Sequence, residues 1–264
     1  RTRVSFELAA TRLGADVVNL DLHSSSRVKG ETVLDTIYTL QAMMVDVFVM
    51  RDSEPGLPAF VSAHVQPHVS VLNAGEAHVS HPTQGLLDVL TIRQRQGNVQ
   101  NLCVAIVGDV RHSRVARSTS TALQTLGVGE LRFVSPASLA PEPAEFPGAK
   151  RFDSLEDGIR GADVIMALRI QKERMDQSQI PDVDAFLKEW GITERSILHA
   201  SKGAIVLHPG PMNRGVEITN AIADGPQSAV QQQVRNGVAV RMAVLATIVR
   251  NVQVRNVQAG RRDV

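Results

Sequence analysis

Three arginines stand where a binding site for an anionic small molecule is expected. Arg51, Arg114 and Arg169 each come shortly after an apolar run of the kind that forms a buried strand. Open α/β sheets bind ligands at the carboxyl ends of their strands, so these side chains would gather at such an edge. Guanidinium groups bind carboxylates and phosphates strongly and bidentately. Three such coincidences favour a polyanionic ligand over three unrelated surface arginines.

The segment His81-Pro82-Thr83-Gln84 adds neutral hydrogen-bonding groups beside a strand end. It follows Asn73-Ala74-Gly75, and Pro82 is suited to the first position of a helix. An imidazole donor there could polarise a carbonyl oxygen, and Gln84 could bind an amide NH₂ group. A histidine that only caps the helix is the alternative interpretation.

Two further segments could bind an anion. Arg1-Thr2-Arg3 lies at a predicted helix start, where free backbone N–H groups and the helix dipole favour negative charge. A solvated basic helix start is the alternative. The polar segment 24–32 contains Lys29, whose amine could reach an anionic ligand. An exposed loop that caps the next helix is the alternative there.

The segment His208-Pro209-Gly210-Pro211 follows an apolar run, and its two prolines restrict the backbone. Such a backbone is suited to presenting carbonyl groups to a cationic part of a ligand. By contrast, Gly108–Arg114 lacks the GxGxxG pattern, which argues against a dinucleotide site. The eight histidines form no metal-ligand pattern, so neither a metal nor another cofactor is expected.

The elements that must position these residues are short apolar runs alternating with helical patterns. The runs are typical of buried parallel strands. They are Val17–Leu22, Val47–Met50, Val69–Leu72, Leu102–Val107, Leu131–Val134, Val164–Ala167 and Ile205–Leu207. Glycines at 14, 97 and 127 are expected to end three of the intervening helices. The pattern predicts an α/β protein with two similar-sized domains, each a parallel sheet flanked by helices.

The predicted domain boundaries follow from this alternation. The first domain would contain residues 1–92, and the second residues 99–227. The polar segment Arg93–Asn101 is the expected hinge. A long apolar helix over about 228–250 is expected to pack back on the first domain, followed by a polar tail at 251–264.

Composition excludes several classes of protein. The chain has 264 residues, 43% hydrophobic and 21% charged, with a formal net charge of +1. It lacks the cationic excess of a nucleic-acid or membrane-surface binder, and no apolar stretch is long enough to span a bilayer. The single cysteine, Cys103, cannot form an internal disulfide, which fits a reducing, cytoplasmic location, and it is expected to be a small core residue.

Five ordered motifs resemble signatures of the aspartate/ornithine carbamoyltransferase family, over essentially the whole chain. They are Arg1–Glu7, Lys29–Thr32, His81–Gln84, Arg169–Arg174 and His208–Pro211. The first is similar to the second half of the family motif Ser-Thr-Arg-Thr-Arg-x-Ser-Phe-Glu. The chain opens within this motif and without an initiator methionine, so an N-terminal segment carrying the Ser and Thr is expected to precede Arg1 in the complete protein.

Within the family, the residues favour aspartate over ornithine as the acceptor. The His-Cys-Leu-Pro segment of the ornithine enzymes is replaced here by His208–Pro211. The run Arg169–Arg174 resembles the dicarboxylate site of the aspartate enzymes, and no Asp-x-x-x-Ser-Met-Gly loop is found. A carbamoyltransferase acting on ornithine or another amino acid, and a catalytically silent scaffold chain, are the alternatives. The retained Arg51 and His81 argue against the silent chain.

The resemblance implies a role for each candidate residue. Carbamoyl phosphate would be held by Arg1, Thr2, Arg51, His81 and Gln84, and the catalytic donors to its carbonyl oxygen would be Thr2, Arg51 and His81. Aspartate would be bound by Lys29, Arg114, Arg169, Gln171, Pro209 and Gly210. Ser25 and Lys29 would come from the neighbouring subunit of a homotrimer. The resemblance leaves open whether dihydroorotase or regulatory chains attach.

Overall fold

The computed structural model describes residues 1–20, 32–171 and 182–258, with side chains described as far as Val252. Ser25 and Lys29, two of the predicted site residues, lie outside the described residues. The helices are α1 (Thr2–Arg12), α2 (Val33–Ala42), α3 (Leu57–Ser62), α4 (Pro82–Gln96), α5 (Arg114–Thr125), α6 (Leu155–Ile159), α7 (Val183–Trp190), α8 (Asn220–Asp224) and α9 (Val230–Gln258). The strands are β1 (Val47–Asp52), β2 (Ser70–Glu76), β3 (Cys103–Gly108), β4 (Glu130–Val134), β5 (Lys150–Phe152), β6 (Val164–Leu168) and β7 (Ile205–Leu207).

The chain divides into two compact units. The N-terminal unit is made of Arg1–Thr83 and Gly237–Val264, and the central unit of Gln84–Asn236. Each contains a parallel sheet with helices packed against it, so the predicted α/β class is confirmed. The finer domain boundaries, at 92–99 and near 228, stay predictions.

In the N-terminal unit, β1 and β2 form a two-stranded parallel sheet that buries apolar side chains on both faces. Phe48 of β1 packs against α2 and α3 on one face. Leu72 and Ala74 of β2 pack against Phe6 of α1 and Leu245 of α9 on the other. Because successive side chains of a strand point to opposite faces, one apolar run contributes to both layers.

The C-terminal helix α9 packs on the N-terminal unit, as predicted. Val238, Met242 and Leu245 lie on one face of the helix and contact the cluster that contains Phe6 and Ala9 of α1. Their spacing of three and four residues is that of a single buried stripe.

The predicted end of this helix is wrong. Residues 251–258, which were expected to form part of a polar tail, continue α9. No glycine or proline occurs between positions 238 and 259, so nothing in the local sequence stops the helix there. Polarity alone therefore did not mark a helix end.

The central unit contains a five-stranded, all-parallel sheet in the order β5-β4-β3-β6-β7. Alternate residues of β3 enter different cores: Val104 and Ile106 pack on one face, and Ala105 and Val107 on the other. Both faces are therefore covered, as is usual for parallel sheets. The chain leaves β3 in one direction towards β5 and returns to β6 on the other side, so a topological switch point lies between β3 and β6.

One further sequence expectation is corrected. Within Val17–Leu22, the described residues 17–20 form no strand, and Val18 is 77% exposed. An apolar run becomes a strand only where a neighbouring strand pairs with it, which composition does not reveal. In the expected hinge segment, residues 93–96 complete α4, which ends before Gly97 as predicted, and Val99–Asn101 form a 3₁₀ helix. The role of this segment as a hinge stays a prediction.

Candidate functional site

The sequence predicted that Arg51 follows a strand. In the structure of the N-terminal unit, it lies within β1, at an irregularity of the strand. The register between β1 and β2 shifts between Met50 and Asp52, and such bulges re-aim side chains. Arg51 Nη1 donates to Thr2 Oγ1 at 3.1 Å and to the carbonyl oxygen of Ala74 at 3.3 Å. The structure thus brings Arg51 together with Thr2, the first residue of α1. Arg1 is the exposed N-cap residue of that helix.

Glu76, which is not among the predicted site residues, holds the segments around Arg51 in place. Its side chain is buried at the end of β2. Oε1 accepts hydrogen bonds from Asn73 Nδ2 and Ser80 Oγ, both at 2.9 Å, and Oε2 accepts from the N–H of Gly56 at 3.0 Å. One carboxylate therefore joins the segments that follow β1 and β2.

His81 and Gln84 lie at the start of α4, which begins at Pro82 as predicted. Both side chains are largely buried, with exposures of 6% and 8%. Gln84 Nε2 donates to Asp88 Oδ1 at 2.9 Å. This bond assigns the orientation of the amide, and it makes Oε1 the atom with which Gln84 could accept from a ligand NH₂ group.

At the switch point of the central unit, Asp109 joins the segments that follow β3 and β6. Its side chain is fully buried. Oδ1 accepts from the N–H and Nδ1 of His112, at 3.2 and 2.8 Å, and Oδ2 accepts from the N–H of Gln171 at 3.1 Å. Hydrogen bonds from backbone N–H groups stabilise a buried carboxylate and fix the loop that donates them. The sequence predicted a role for Arg114 in this segment but none for Asp109.

The predicted aspartate-binding side chains of the central unit lie at the same edge. Arg114 is the first residue of α5, after the N-cap Ser113. Arg169 directly follows β6, and Gln171 is two residues farther on. All three are partly buried. Two guanidinium groups and an amide at the carboxyl ends of β3 and β6 can bind a dicarboxylate.

The segment after β7 is fixed by side chains as well as by its prolines. His208 is buried, and its Nδ1 accepts from the N–H of Gly210 at 2.9 Å. The proton is therefore on Nε2, which donates to the buried Glu217 Oε1 at 2.9 Å. Glu217 Oε1 also accepts from the N–H of Asn213 at 2.6 Å. The pair formed by His208 and Glu217 holds the backbone of Pro209 and Gly210, which are both partly exposed.

Cys103 is not suited to act as a nucleophile. Burial raises the pKa of the Cys103 thiol to about 11, which makes it a poor nucleophile near neutral pH. Among the residues that the structure describes, no group of three or more His, Cys, Asp or Glu side chains could hold a metal ion. No helix in the described part of the chain has both the length and the apolar character needed to cross a membrane.

Two domains of one protein family match the N-terminal and the C-terminal parts of the chain. Residues 1–94 match the carbamoyl-P binding domain of aspartate/ornithine carbamoyltransferase, and residues 100–248 match the Asp/Orn binding domain. The two matches together cover most of the chain.

The chain is also similar to solved structures of carbamoyltransferases. The chain is similar to aspartate transcarbamoylase from Trypanosoma cruzi in complex with carbamoyl aspartate and phosphate, with 31% identity, a TM-score of 0.77, and coverage of 92% of this chain and 77% of that one. The same enzyme in complex with carbamoyl phosphate matches with a TM-score of 0.80 at 31% identity, over 93% and 79% of the two chains. Ornithine carbamoyltransferase from Thermus thermophilus shares the fold, with a TM-score of 0.81 at 24% identity over 94% and 82%.

Proposed function

We propose, since the chain belongs to the aspartate/ornithine carbamoyltransferase family, that it transfers the carbamoyl group of carbamoyl phosphate to the α-amine of L-aspartate. The products are N-carbamoyl-L-aspartate, an intermediate of pyrimidine biosynthesis, and phosphate. The observation that carries the choice of aspartate is the pair Arg114 and Arg169 at the carboxyl ends of β3 and β6. Two guanidinium groups match the two carboxylates of aspartate, whereas ornithine has only one carboxylate and a cationic side chain.

In the proposed reaction, the N-terminal unit and the start of α4 hold carbamoyl phosphate. Arg1 and the start of α1 bind the phosphate, since a helix N-terminus favours an anion. Thr2, Arg51 and His81 donate to the carbonyl oxygen, and Gln84 Oε1 accepts from the carbamoyl NH₂. The hydrogen bond between Arg51 and Thr2 supports this assignment, because it places two of the donors side by side.

The central unit binds aspartate in this proposal. Arg114, Arg169 and Gln171 bind the carboxylates, and the backbone carbonyl groups of Pro209 and Gly210 accept from the α-ammonium group. Asp109 holds the Gln171 segment, while His208 and Glu217 hold the Pro209 segment. Lys29, together with Ser25, is proposed to reach the site from the neighbouring subunit of a homotrimer.

The chemistry needs no nucleophile from the protein. The α-ammonium group of aspartate first loses a proton to solvent. The neutral α-amine then attacks the carbamoyl carbon, and negative charge develops on the carbonyl oxygen and on the departing phosphate. Each donor already positioned at those atoms lowers the barrier by about 3–4 kcal/mol. Holding the two substrates in reacting geometry supplies much of the rest, and the departing phosphate can accept the amine proton. The positioned guanidinium, hydroxyl and imidazole groups are therefore sufficient.

A substrate panel tests the proposal. The protein is assayed with carbamoyl phosphate and, in turn, L-aspartate, L-glutamate, L-ornithine and L-lysine, and the carbamoylated product is identified by mass spectrometry. We expect product with aspartate and a kcat/KM for ornithine lower by at least about 10³-fold, since the site pairs guanidinium groups with a second carboxylate. A preference for ornithine would contradict the assignment, and the absence of any product would support a silent scaffold chain.

A further inference from the structure

The central unit contains a buried carboxylate, Asp88 of α4, that bonds to two different glutamines through one oxygen. Asp88 is fully buried. Its Oδ1 accepts from Gln84 Nε2 at 2.9 Å and from Gln233 Nε2 at 2.8 Å, while Oδ2 accepts from Thr119 Oγ1 at 2.8 Å. A buried carboxylate is costly unless donors surround it, so these side chains are held in a fixed arrangement.

Gln233 of α9 uses both ends of its amide. While Nε2 donates to Asp88, Oε1 accepts from the backbone N–H of His208 at 2.9 Å. The side chain is only 3% exposed. It cannot change rotamer without breaking both bonds in a buried environment, where a lost partner is expensive.

The segment that Gln233 contacts has few backbone N–H groups, although the side chains of His208 and Glu217 also hold it. Of the four residues His208–Pro211, the two prolines have no N–H group. The N–H of Gly210 is satisfied within the segment, by His208 Nδ1. The N–H of His208 is therefore the one backbone donor of this segment that ties it to a helix, and its acceptor is Gln233.

We propose that Gln233 is a positioning residue that ties the amide of Gln84, through the Asp88 carboxylate, to the backbone of His208–Pro211. One buried hydrogen-bond chain then orients a group that binds carbamoyl phosphate and a segment that binds aspartate. The inference rests on the proposed function, because that function assigns the two ends of the chain to the two substrates.

Thr119 provides a matched control within the same network. Helices α4 and α5 approach closely at Gly85, where a Cβ atom would lie 2.5 Å from the carbonyl oxygen of Ser118. This approach brings Thr119 of α5 to Asp88. Thr119 bonds to Oδ2, whereas both links of the chain use Oδ1. Thr119→Val therefore removes a buried hydrogen bond to the same carboxylate but leaves both links intact.

The first experiment compares Gln233→Met with Thr119→Val in the full-length protein by calorimetry. Affinity for carbamoyl phosphate is measured alone, and affinity for succinate, a dicarboxylate without an amine, in saturating carbamoyl phosphate. We expect Gln233→Met to weaken both affinities about tenfold and Thr119→Val to change neither by more than about twofold, although both variants lower Tm. A folded Gln233→Met that binds both ligands like the wild type, or loses affinity for only one, would overturn the proposal.

Amide hydrogen exchange tests the hydrogen bond between Gln233 and the His208 N–H without substrates. In the wild type, the His208 N–H should exchange slowly. It should exchange faster in Gln233→Met and stay slow in Thr119→Val. Rapid exchange at His208 in the wild type would overturn the proposal even if Gln233→Met does not fold. If the wild type protects the His208 N–H but neither binds carbamoyl phosphate nor forms carbamoylaspartate, the proposed function is contradicted. The exchange data would still decide whether Gln233 holds the His208 N–H.

Discussion

At the scale of single residues, basic side chains expected to contact ligand are accompanied by buried carboxylates that hold the backbone around them. Glu76 accepts the N–H of Gly56, Asp109 accepts the N–H of Gln171, and Glu217 accepts the N–H of Asn213. Each of these bonds fixes the backbone of a segment that follows a strand. An arginine after a strand is recognisable in a sequence, whereas a carboxylate that accepts from a remote N–H group has no local signature.

Replacing Arg51 should affect catalysis far more than stability. Arg51 is exposed and is proposed to donate to the carbonyl oxygen, so we expect Arg51→Ala to lower kcat/KM about 10²–10³-fold. The free energy of unfolding should fall by only about 1 kcal/mol, the loss of the hydrogen bonds to Thr2 and Ala74. Initial rates of carbamoylaspartate formation and urea unfolding measure the two effects. Arg151→Ala, at an exposed arginine of β5, is the control and should leave both unchanged; normal activity in Arg51→Ala would refute the assignment.

At the scale of elements, the ends of helices and strands decide where the site residues lie. The helices α1, α4 and α5 stop before Gly14, Gly97 and Gly127, as predicted, and each glycine has a positive φ. The start of α4 at Pro82 and of α5 after Ser113 places Gln84 and Arg114 in first helical turns. The predicted end of α9 was wrong because neither glycine nor proline marks it.

Gly108, the last residue of β3, should tolerate no side chain. It has φ +112°, and a Cβ atom would lie 2.6 Å from the carbonyl oxygen of Leu168, the residue before Arg169. We expect Gly108→Ala to cost about 3 kcal/mol or more and to raise the KM for aspartate, because the strand ends must separate. Urea unfolding and steady-state kinetics measure both effects.

Gly97 provides the control for this substitution. It also has a positive φ, of +86°, but a Cβ atom there would meet nothing within 4 Å. Gly97→Ala should therefore cost only about 1–2 kcal/mol, the penalty of the left-handed backbone, and leave the KM unchanged. Equal losses of stability in the two variants would show that the close approach to Leu168 is unimportant.

At the scale of the whole molecule, two parallel-sheet units of one chain carry the two sets of candidate residues. Arg51, Thr2 and His81 belong to the N-terminal unit, and Arg114 and Arg169 to the central unit. The two family domains match the chain in the same order. The homotrimer and the contribution of Ser25 and Lys29 to a neighbouring site are proposals about the assembly.

Mixed assemblies test the shared site. Lys29→Ala and His81→Ala should each be nearly inactive alone. If Lys29 of one subunit completes the site that contains His81 of its neighbour, random mixing in equal amounts should restore about one quarter of the sites. Activity is assayed after the variants are dissociated and reassembled together, and native mass spectrometry confirms mixed trimers. Mixed trimers without recovered activity would argue against sharing.

The sequence by itself determined the α/β class, six of the seven predicted strands, the helix ends at glycines, and the basic and amide residues of the candidate site. These features depend on local periodicity, turn chemistry and side-chain type, which are readable within a few residues. The role of those residues remains a proposal.

The tertiary structure alone decided that β6 pairs with β3, that Val17–Leu20 is not a strand, and that Glu76, Asp109 and Glu217 hold the site segments. A series of hydrogen bonds runs from Gln84 through Asp88 and Gln233 to His208 and joins residues more than a hundred positions apart. Such pairings arise only when helices pack and bury polar groups that must find partners.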